Sequence, residues 1–92
     1  TILRFNAEVC DVKYDRIREA IRVPETTELA DWIERLNAEL GLPASIGELG
    51  VTAGMVPDLA AHAARDVCTV TNPRPVDEAT YLDLFRQALG QA

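Results

Sequence analysis

Hydrophobic residues recur every three or four positions along most of the chain, which is the spacing of an amphipathic α-helix. The pattern predicts an all-α fold of about four helices plus one short helical turn, and residues 1–5 fit the last turn of a helix. The apolar faces are Tyr14, Ile17 and Ile21; Leu29, Trp32 or Ile33, Leu36 and Leu40; Leu59, Ala60, Ala63 and Val67; and Leu82, Phe85 and Leu89. We expect the second and fourth faces to share one core in a single helical domain of residues 1–92.

Polar, glycine and proline residues indicate where the first helices begin and end. Asp11 is suited to the N-cap of one helix, and Pro24 prevents that helix from continuing past the residue before it. Thr26 or Thr27 is suited to the N-cap of the next helix. Gly41 has the position of a C′ glycine, which ends that helix.

The second half of the chain carries the same kinds of signal. Residues 45–48 have the Ser-x-x-Glu spacing of a capping box, and Gly50 ends that turn. Pro57 fits near the start of the following helix. Residues 66–76 are poor in helix formers and predict an extended loop, and Asp77 caps the last helix.

Composition and charge exclude several classes of protein for this chain. The chain has 92 residues, a net charge of −6 and 48% hydrophobic residues, so it is too apolar for disorder and has no basic surface for nucleic acid. It has no apolar run long enough to cross a membrane. Cys10 and Cys68 lack neighbours at metal-ligand spacing, which argues against a structural zinc site. The two could form one disulfide, but two reduced thiols in a cytoplasmic protein are the favoured interpretation.

Three side chains are candidates for chemistry, and each has a simpler interpretation. His62 could be an acid or base, but it lacks a partner and fits a solvated position in an alanine-rich helix. Cys68 could be a reactive thiol, but a half-buried packing residue is the simpler interpretation. Arg74 could bind a phosphate or carboxylate, although a structural role in its loop is favoured, and Asn72 fits a turn. The residues alone therefore predict no catalytic, cofactor-binding or metal site.

Five segments, taken in order, resemble the last quarter of the iron-dependent (group III) alcohol dehydrogenases. They are residues 3–6 (LRFN), 14–21 (YDRIREAI), 40–43 (LGLP), 49–51 (LGV) and 68–75 (CTVTNPRP). The chain departs from the family at residues 21–24, where IRVP replaces the usual Leu-Gly-Val, and at Gly54 and Met55, which stand where acidic residues usually begin a helix. Related maleylacetate reductases share the Asn-Pro-Arg-Pro loop, but Cys68 and Thr69 favour an alcohol dehydrogenase.

The resemblance implies the C-terminal helical domain of the dehydroquinate-synthase-like, iron-type alcohol dehydrogenase fold. It implies a parent enzyme that uses NAD(P) and Fe²⁺, or Zn²⁺, to exchange hydride with an alcohol or aldehyde. In the family, one Asp and three His bind the metal, and none of the four matches a residue of this chain. The family's closing loop approaches the cleft, and its cysteine, which matches Cys68, lines the substrate pocket.

We expect an isolated chain of this kind to be inactive and to need the missing N-terminal part of the enzyme as its partner. The apolar end formed by Ile2, Leu3 and Phe5 also predicts self-association. The alternative is a free-standing all-α protein-interaction module. Such a module should close its own core, whereas an enzyme segment should keep an uncovered apolar flank.

Overall fold

A computed structural model describes residues 1–90, and every regular element in this range is helical, which confirms the all-α prediction. The helices are α1 (Ile2–Asn6), α2 (Asp11–Ala20), α3 (Leu29–Glu39), α4 (Val56–Ala64), α5 (Val67–Val70) and α6 (Glu78–Ala88). Short 3-10 turns lie at Ala7–Val9, Ile46–Leu49 and Ala53–Met55. Within this range α2, α3, α4 and α6 are the long helices, as the apolar periodicity predicts.

The chain divides into two compact units, Thr1–Ala44 and Ser45–Ala92. Helix α3, with the apolar face that begins at Leu29, belongs to the first unit, and helix α6 belongs to the second. The sequence predicts that these two faces share one core and that residues 1–92 form a single domain. Both remain predictions. Each unit has its own helix packing.

In the first unit, α1 packs against α3 and is also bonded to α2. The Tyr14 hydroxyl of α2 donates a hydrogen bond of 2.9 Å to the Leu3 carbonyl of α1. Arg4 of α1 forms ion pairs with Asp31 and Glu34 of α3, the second at 3.0 Å. These ion pairs are exposed, so we expect them to contribute little stability beyond the apolar packing. The buried apolar residues of this unit are Cys10, Leu29 and Ala30.

In the second unit, α4 packs against α6. Ala60 of α4 is completely buried, and Val56, one turn earlier, is 2% exposed. Leu84 of α6 is also buried, although the predicted face of this helix did not include it. The predicted face of α4 was wrong at Val67, which is 77% exposed, because α4 ends at Ala64 and Val67 begins a separate helix.

Several predicted caps are confirmed. The Asp77 carboxylate accepts the Thr80 N–H at 2.8 Å and so caps α6. The capping box of residues 45–48 is present, with the Ser45 N–H donating to the Glu48 carboxylate at 3.2 Å. Gly50 ends this turn with a φ of +94°, a left-handed conformation that glycine adopts without strain.

The predicted starts of α2 and α3 need correction. Asp11 is the first residue of α2, so Cys10 occupies the N-cap position. Glu28 occupies the N-cap position of α3, and neither of the two predicted threonines does. The chain is still turning there, because the Thr27 N–H donates to the Pro24 carbonyl at 3.0 Å. A turn at residues 24–27 therefore precedes α3, whose N-cap lies one or two residues later than the sequence predicts.

The prediction that Leu40 belongs to the buried face of α3 is also wrong. Leu40 lies beyond the end of α3 and is 64% exposed. On α2, Tyr14 is half-buried, whereas Ile17 and Ile21 on the same face are exposed. The periodicity therefore identifies which residues share a face, and the structure leaves part of each face uncovered.

Helices α2 and α3 end with the same backbone motif but with different residues at its left-handed position. Gly41 has a φ of +74°, and Arg22 has a φ of +58°. After Arg22, the Val23 N–H returns to the Arg18 carbonyl at 2.8 Å, which is the long hydrogen bond of a Schellman motif. A side chain makes this conformation unfavourable, so Arg22 is strained where a glycine would not be.

We predict that Arg22→Gly stabilises the first unit by about 1 kcal/mol, because it removes the steric cost of the left-handed conformation. The matched substitution Gly41→Ala should destabilise the same unit by about 1 kcal/mol, since it introduces that cost. Urea denaturation followed by circular dichroism measures both changes. A loss of stability in Arg22→Gly would contradict the interpretation.

Candidate functional site

The segment between α4 and α6 carries Cys68, and its first half is not the extended loop that the sequence predicts. Val67–Val70 form α5, a helix of one turn. The Asp66 carboxylate accepts the Cys68 N–H at 2.8 Å, and this N-cap offsets the weak helix propensity of the valines and the threonine. The hydrogen bond from the Cys68 N–H to Asp66 thus stabilises the helical turn that carries the thiol.

Thr69 ties α5 to both neighbouring helices. Its hydroxyl donates to the Ala63 carbonyl, near the end of α4, at 2.6 Å. The same hydroxyl lies 2.5 Å from the Tyr81 hydroxyl of α6. These contacts are half-buried, and they were not predicted, because side-chain contacts between helices leave no pattern in the sequence.

The second half of the segment is held by its own polar side chains. The Asn72 amide donates to the Arg74 carbonyl at 2.6 Å, which confirms Asn72 as a turn residue. Arg74 is half-buried in this turn. The Thr71 hydroxyl donates to the Cys68 carbonyl at 3.1 Å on the exposed side of α5. Residues 66–76 therefore form a hydrogen-bonded connection between two packed helices.

Cys68 itself is exposed, so the expectation of a half-buried packing residue was wrong. Its hydrogen bond to the Asp66 carboxylate, followed by the charge of that group, raises the pKa of the thiol. An ordinary thiol is already mostly protonated near pH 7, and the Asp66 carboxylate disfavours the thiolate, the form that acts as nucleophile and metal ligand, still further. Val67 and Val70, 77% and 85% exposed, complete an uncovered apolar face on α5.

The acidic and histidine side chains form no catalytic or metal-binding group within residues 1–90. His62 is exposed, and its Nδ1 lies 2.9 Å from the Asp58 carbonyl in its own helix, as expected for a solvated histidine. No three His, Cys, Asp or Glu side chains in this range come together as a metal site. The residues therefore do not fit the iron centre that the resemblance implies, and no catalytic step can be assigned to them.

The first unit contains a pocket of about 330 Å³ between its helices, which the sequence did not indicate. Arg18 lines it, and one end of this guanidinium pairs with Asp15. The Arg18 Nε is buried and has no hydrogen-bond partner in the described part of the chain. The other lining residues are Leu3, Arg4, Ala7, Asp11, Tyr14, Glu28, Leu29 and Ala30.

The model of the Fe-containing alcohol dehydrogenase family, C-terminal part, matches residues 1–89, and the chain belongs to this family. It is 34% identical to 4-hydroxybutyrate dehydrogenase of Cupriavidus necator, over 96% of this chain and 24% of that protein. It is 30% identical to lactaldehyde reductase of Escherichia coli strain K12, over 95% of this chain and 25% of that protein.

The probable alcohol dehydrogenase EutG of the same Escherichia coli strain is 27% identical over 96% of this chain and 23% of that protein. The chain thus spans about a quarter of the length of the curated relatives it matches. No solved structure is a significant match. Among residues 1–90 there is no helix with the length and apolar character of a membrane span.

We predict that Asp66→Asn lowers the pKa of the Cys68 thiol and speeds its alkylation near neutral pH. The amide still accepts the Cys68 N–H and keeps the cap, while the negative charge that opposes the thiolate is removed. The rate of iodoacetamide modification against pH measures the change. Asp77→Asn is the matched control, because it alters the cap of α6 and should leave the profile of Cys68 unchanged.

Proposed function

We propose that this chain is the C-terminal helical part of a metal-dependent, NAD(P)-linked alcohol dehydrogenase. Its role in the enzyme is to close the substrate pocket with residues 66–76, with Cys68 lining that pocket. Membership of the Fe-containing family supports the reaction class, and the relatives' names refer to 4-hydroxybutyrate and lactaldehyde. The metal, Fe²⁺ or Zn²⁺, and NAD(P) bind to residues outside this chain, and the enzyme is cytoplasmic.

The uncovered face of α5 is the observation that carries the proposed role. Val67, Cys68 and Val70 are all exposed, while Thr69 beside them is anchored to the two long helices. The Asp66 carboxylate raises the pKa of Cys68 and so disfavours the thiolate, the form that would bind a metal or attack an aldehyde. An apolar and polarisable surface of this kind suits the wall of a pocket for a small alcohol.

The balance of buried and exposed apolar residues favours an enzyme segment over a free-standing interaction module. Six apolar residues of the described part are buried, and none of the large side chains there is completely enclosed. Eleven large apolar residues in the same range are exposed: Ile2, Val9, Val12, Ile17, Ile21, Leu40, Leu42, Leu49, Met55, Val67 and Val70. A self-contained module would bury more of them, so we infer that the rest of the enzyme covers these surfaces.

The proposal predicts that the chain completes a related enzyme. We would fuse it to the first three quarters of 4-hydroxybutyrate dehydrogenase of Cupriavidus necator, in place of that enzyme's own last quarter. The chimera should reduce NAD(P)⁺ in the presence of an alcohol and of Fe²⁺ or Zn²⁺. Cys68→Phe should raise its KM about tenfold by filling the pocket, while Cys68→Ser, which is nearly isosteric, should change KM little.

The isolated chain is the control for this experiment. It should show no dehydrogenase activity and bind neither Fe²⁺ nor NAD(P), as checked by elemental analysis and calorimetry. A stoichiometric metal bound by the isolated chain would contradict the proposal. So would a soluble chimera that binds the metal and the nucleotide but oxidises no alcohol.

We also predict that the isolated chain associates with itself through the apolar end at α1. Ile2 is 46% exposed, and Leu3 and Phe5 are half-buried, so α1 presents apolar surface that a second copy covers. Sedimentation velocity should detect a dimer or larger species, and Phe5→Asp should reduce it. A monomer at high concentration that binds no hydrophobic dye would support the interaction module instead.

A further inference from the structure

The two short contacts of the Thr69 hydroxyl have only one possible direction. The Ala63 carbonyl accepts and cannot donate, so the single hydroxyl proton of Thr69 lies toward it, at 2.6 Å between the two oxygens. The Tyr81 hydroxyl, 2.5 Å away, must then donate its proton to the Thr69 oxygen. The result is a directed chain of hydrogen bonds from Tyr81 through Thr69 to Ala63, which we call the Tyr81–Thr69–Ala63 chain.

The three residues of the Tyr81–Thr69–Ala63 chain lie on three successive helices. The hydrogen bonds therefore connect α5 to the helix before it and to the helix after it. Ala63 belongs to α4, Thr69 to α5 and Tyr81 to α6. The ring of Tyr81 lies 6.3 Å, centroid to centroid, from the ring of Phe85 one turn later, so its hydroxyl sits on a packed side chain. The contacts are half-buried, where water replaces a lost partner poorly.

Helix α5 needs an anchor outside itself. It spans four residues, which is too short to be stable from its own backbone hydrogen bonds. The Asp66 cap bonds only to the Cys68 N–H, within the same segment, and does not connect α5 to a neighbouring helix. The Thr71 hydroxyl bonds to the Cys68 carbonyl, but this contact is local in sequence and exposed, so water replaces it readily.

We propose that Thr69 and Tyr81 are positioning residues, whose hydrogen-bond chain to Ala63 holds α5 in place and thereby sets the placement of Cys68 beside Asp66. The inference rests on the proposed function, in which Cys68 lines the substrate pocket. Neither residue needs to touch the substrate, since each acts through the helix that carries the thiol. Their loss should therefore alter the environment of Cys68 rather than remove a reacting group.

The alkylation of Cys68 as a function of pH tests this proposal in the chain itself. Thr69→Val should move the pH midpoint of the Cys68 reaction downward, because α5 without its anchor unwinds and Asp66 is then no longer held beside the thiol. A midpoint that is lower by about 0.5 raises the alkylation rate about threefold at pH values below the midpoint. Thr69→Ser should restore the original profile, and Tyr81→Phe should lower the midpoint by a smaller amount. Thr71→Val is the matched control and should leave the midpoint unchanged.

A second variant separates positioning from general loss of packing. Leu84→Ala removes buried apolar contacts from α6 and keeps all three members of the hydrogen-bond chain, so it should lower thermal stability without changing the pH midpoint of Cys68. The proposal is overturned if Thr69→Val lowers the thermal midpoint but not the pH midpoint, or if Leu84→Ala lowers the pH midpoint equally.

These readouts do not depend on dehydrogenase activity. An inactive chimera would contradict the proposed function and leave the alkylation result standing. An unchanged alkylation profile in Thr69→Val would refute the positioning role but would not affect the conclusion drawn from the activity of the chimera. The two proposals can therefore fail separately.

Discussion

The packing of α4 against α6 is the interaction on which residues 66–76, the connection between these two helices, depend. Ala60 is completely buried in α4, and a side chain this small lets a neighbouring helix approach closely. The segment that joins the two helices inherits its geometry from them, because Thr69 bonds to a carbonyl of α4 and lies against a hydroxyl of α6. Separation of the helices would release α5, which four residues cannot hold by themselves.

The chemistry of this segment follows from the same arrangement. The Asp66 carboxylate stabilises the single turn of α5 by accepting a hydrogen bond from the Cys68 N–H, and it also raises the pKa of the Cys68 thiol. One side chain therefore stabilises the short helix and disfavours the thiolate form of Cys68. In a family described as Fe-containing, a neutral thiol differs from a thiolate in an important way, since only the thiolate is a strong metal ligand.

Much of the candidate site could be recognised in the sequence, but its support could not. Residues 68–75 carry the family resemblance, and Cys68 and Asn72 were singled out from residue type and context. The partnership of Thr69 with Tyr81 was not, because these residues are twelve positions apart and no periodicity links two hydroxyls on different helices. The exposure of Cys68 was also missed, since a cysteine among valines is usually interpreted as a packing residue.

The sequence by itself determined the helical class, the four long helices and most helix ends, because apolar period, capping side chains and glycines act within a few residues of each other. Only the tertiary structure decided which apolar faces are covered. It buried Leu84, exposed Leu40, and placed Arg22 in a left-handed conformation. The reason is physical: a pattern shows which residues share a face, whereas burial depends on which neighbouring surface covers that face.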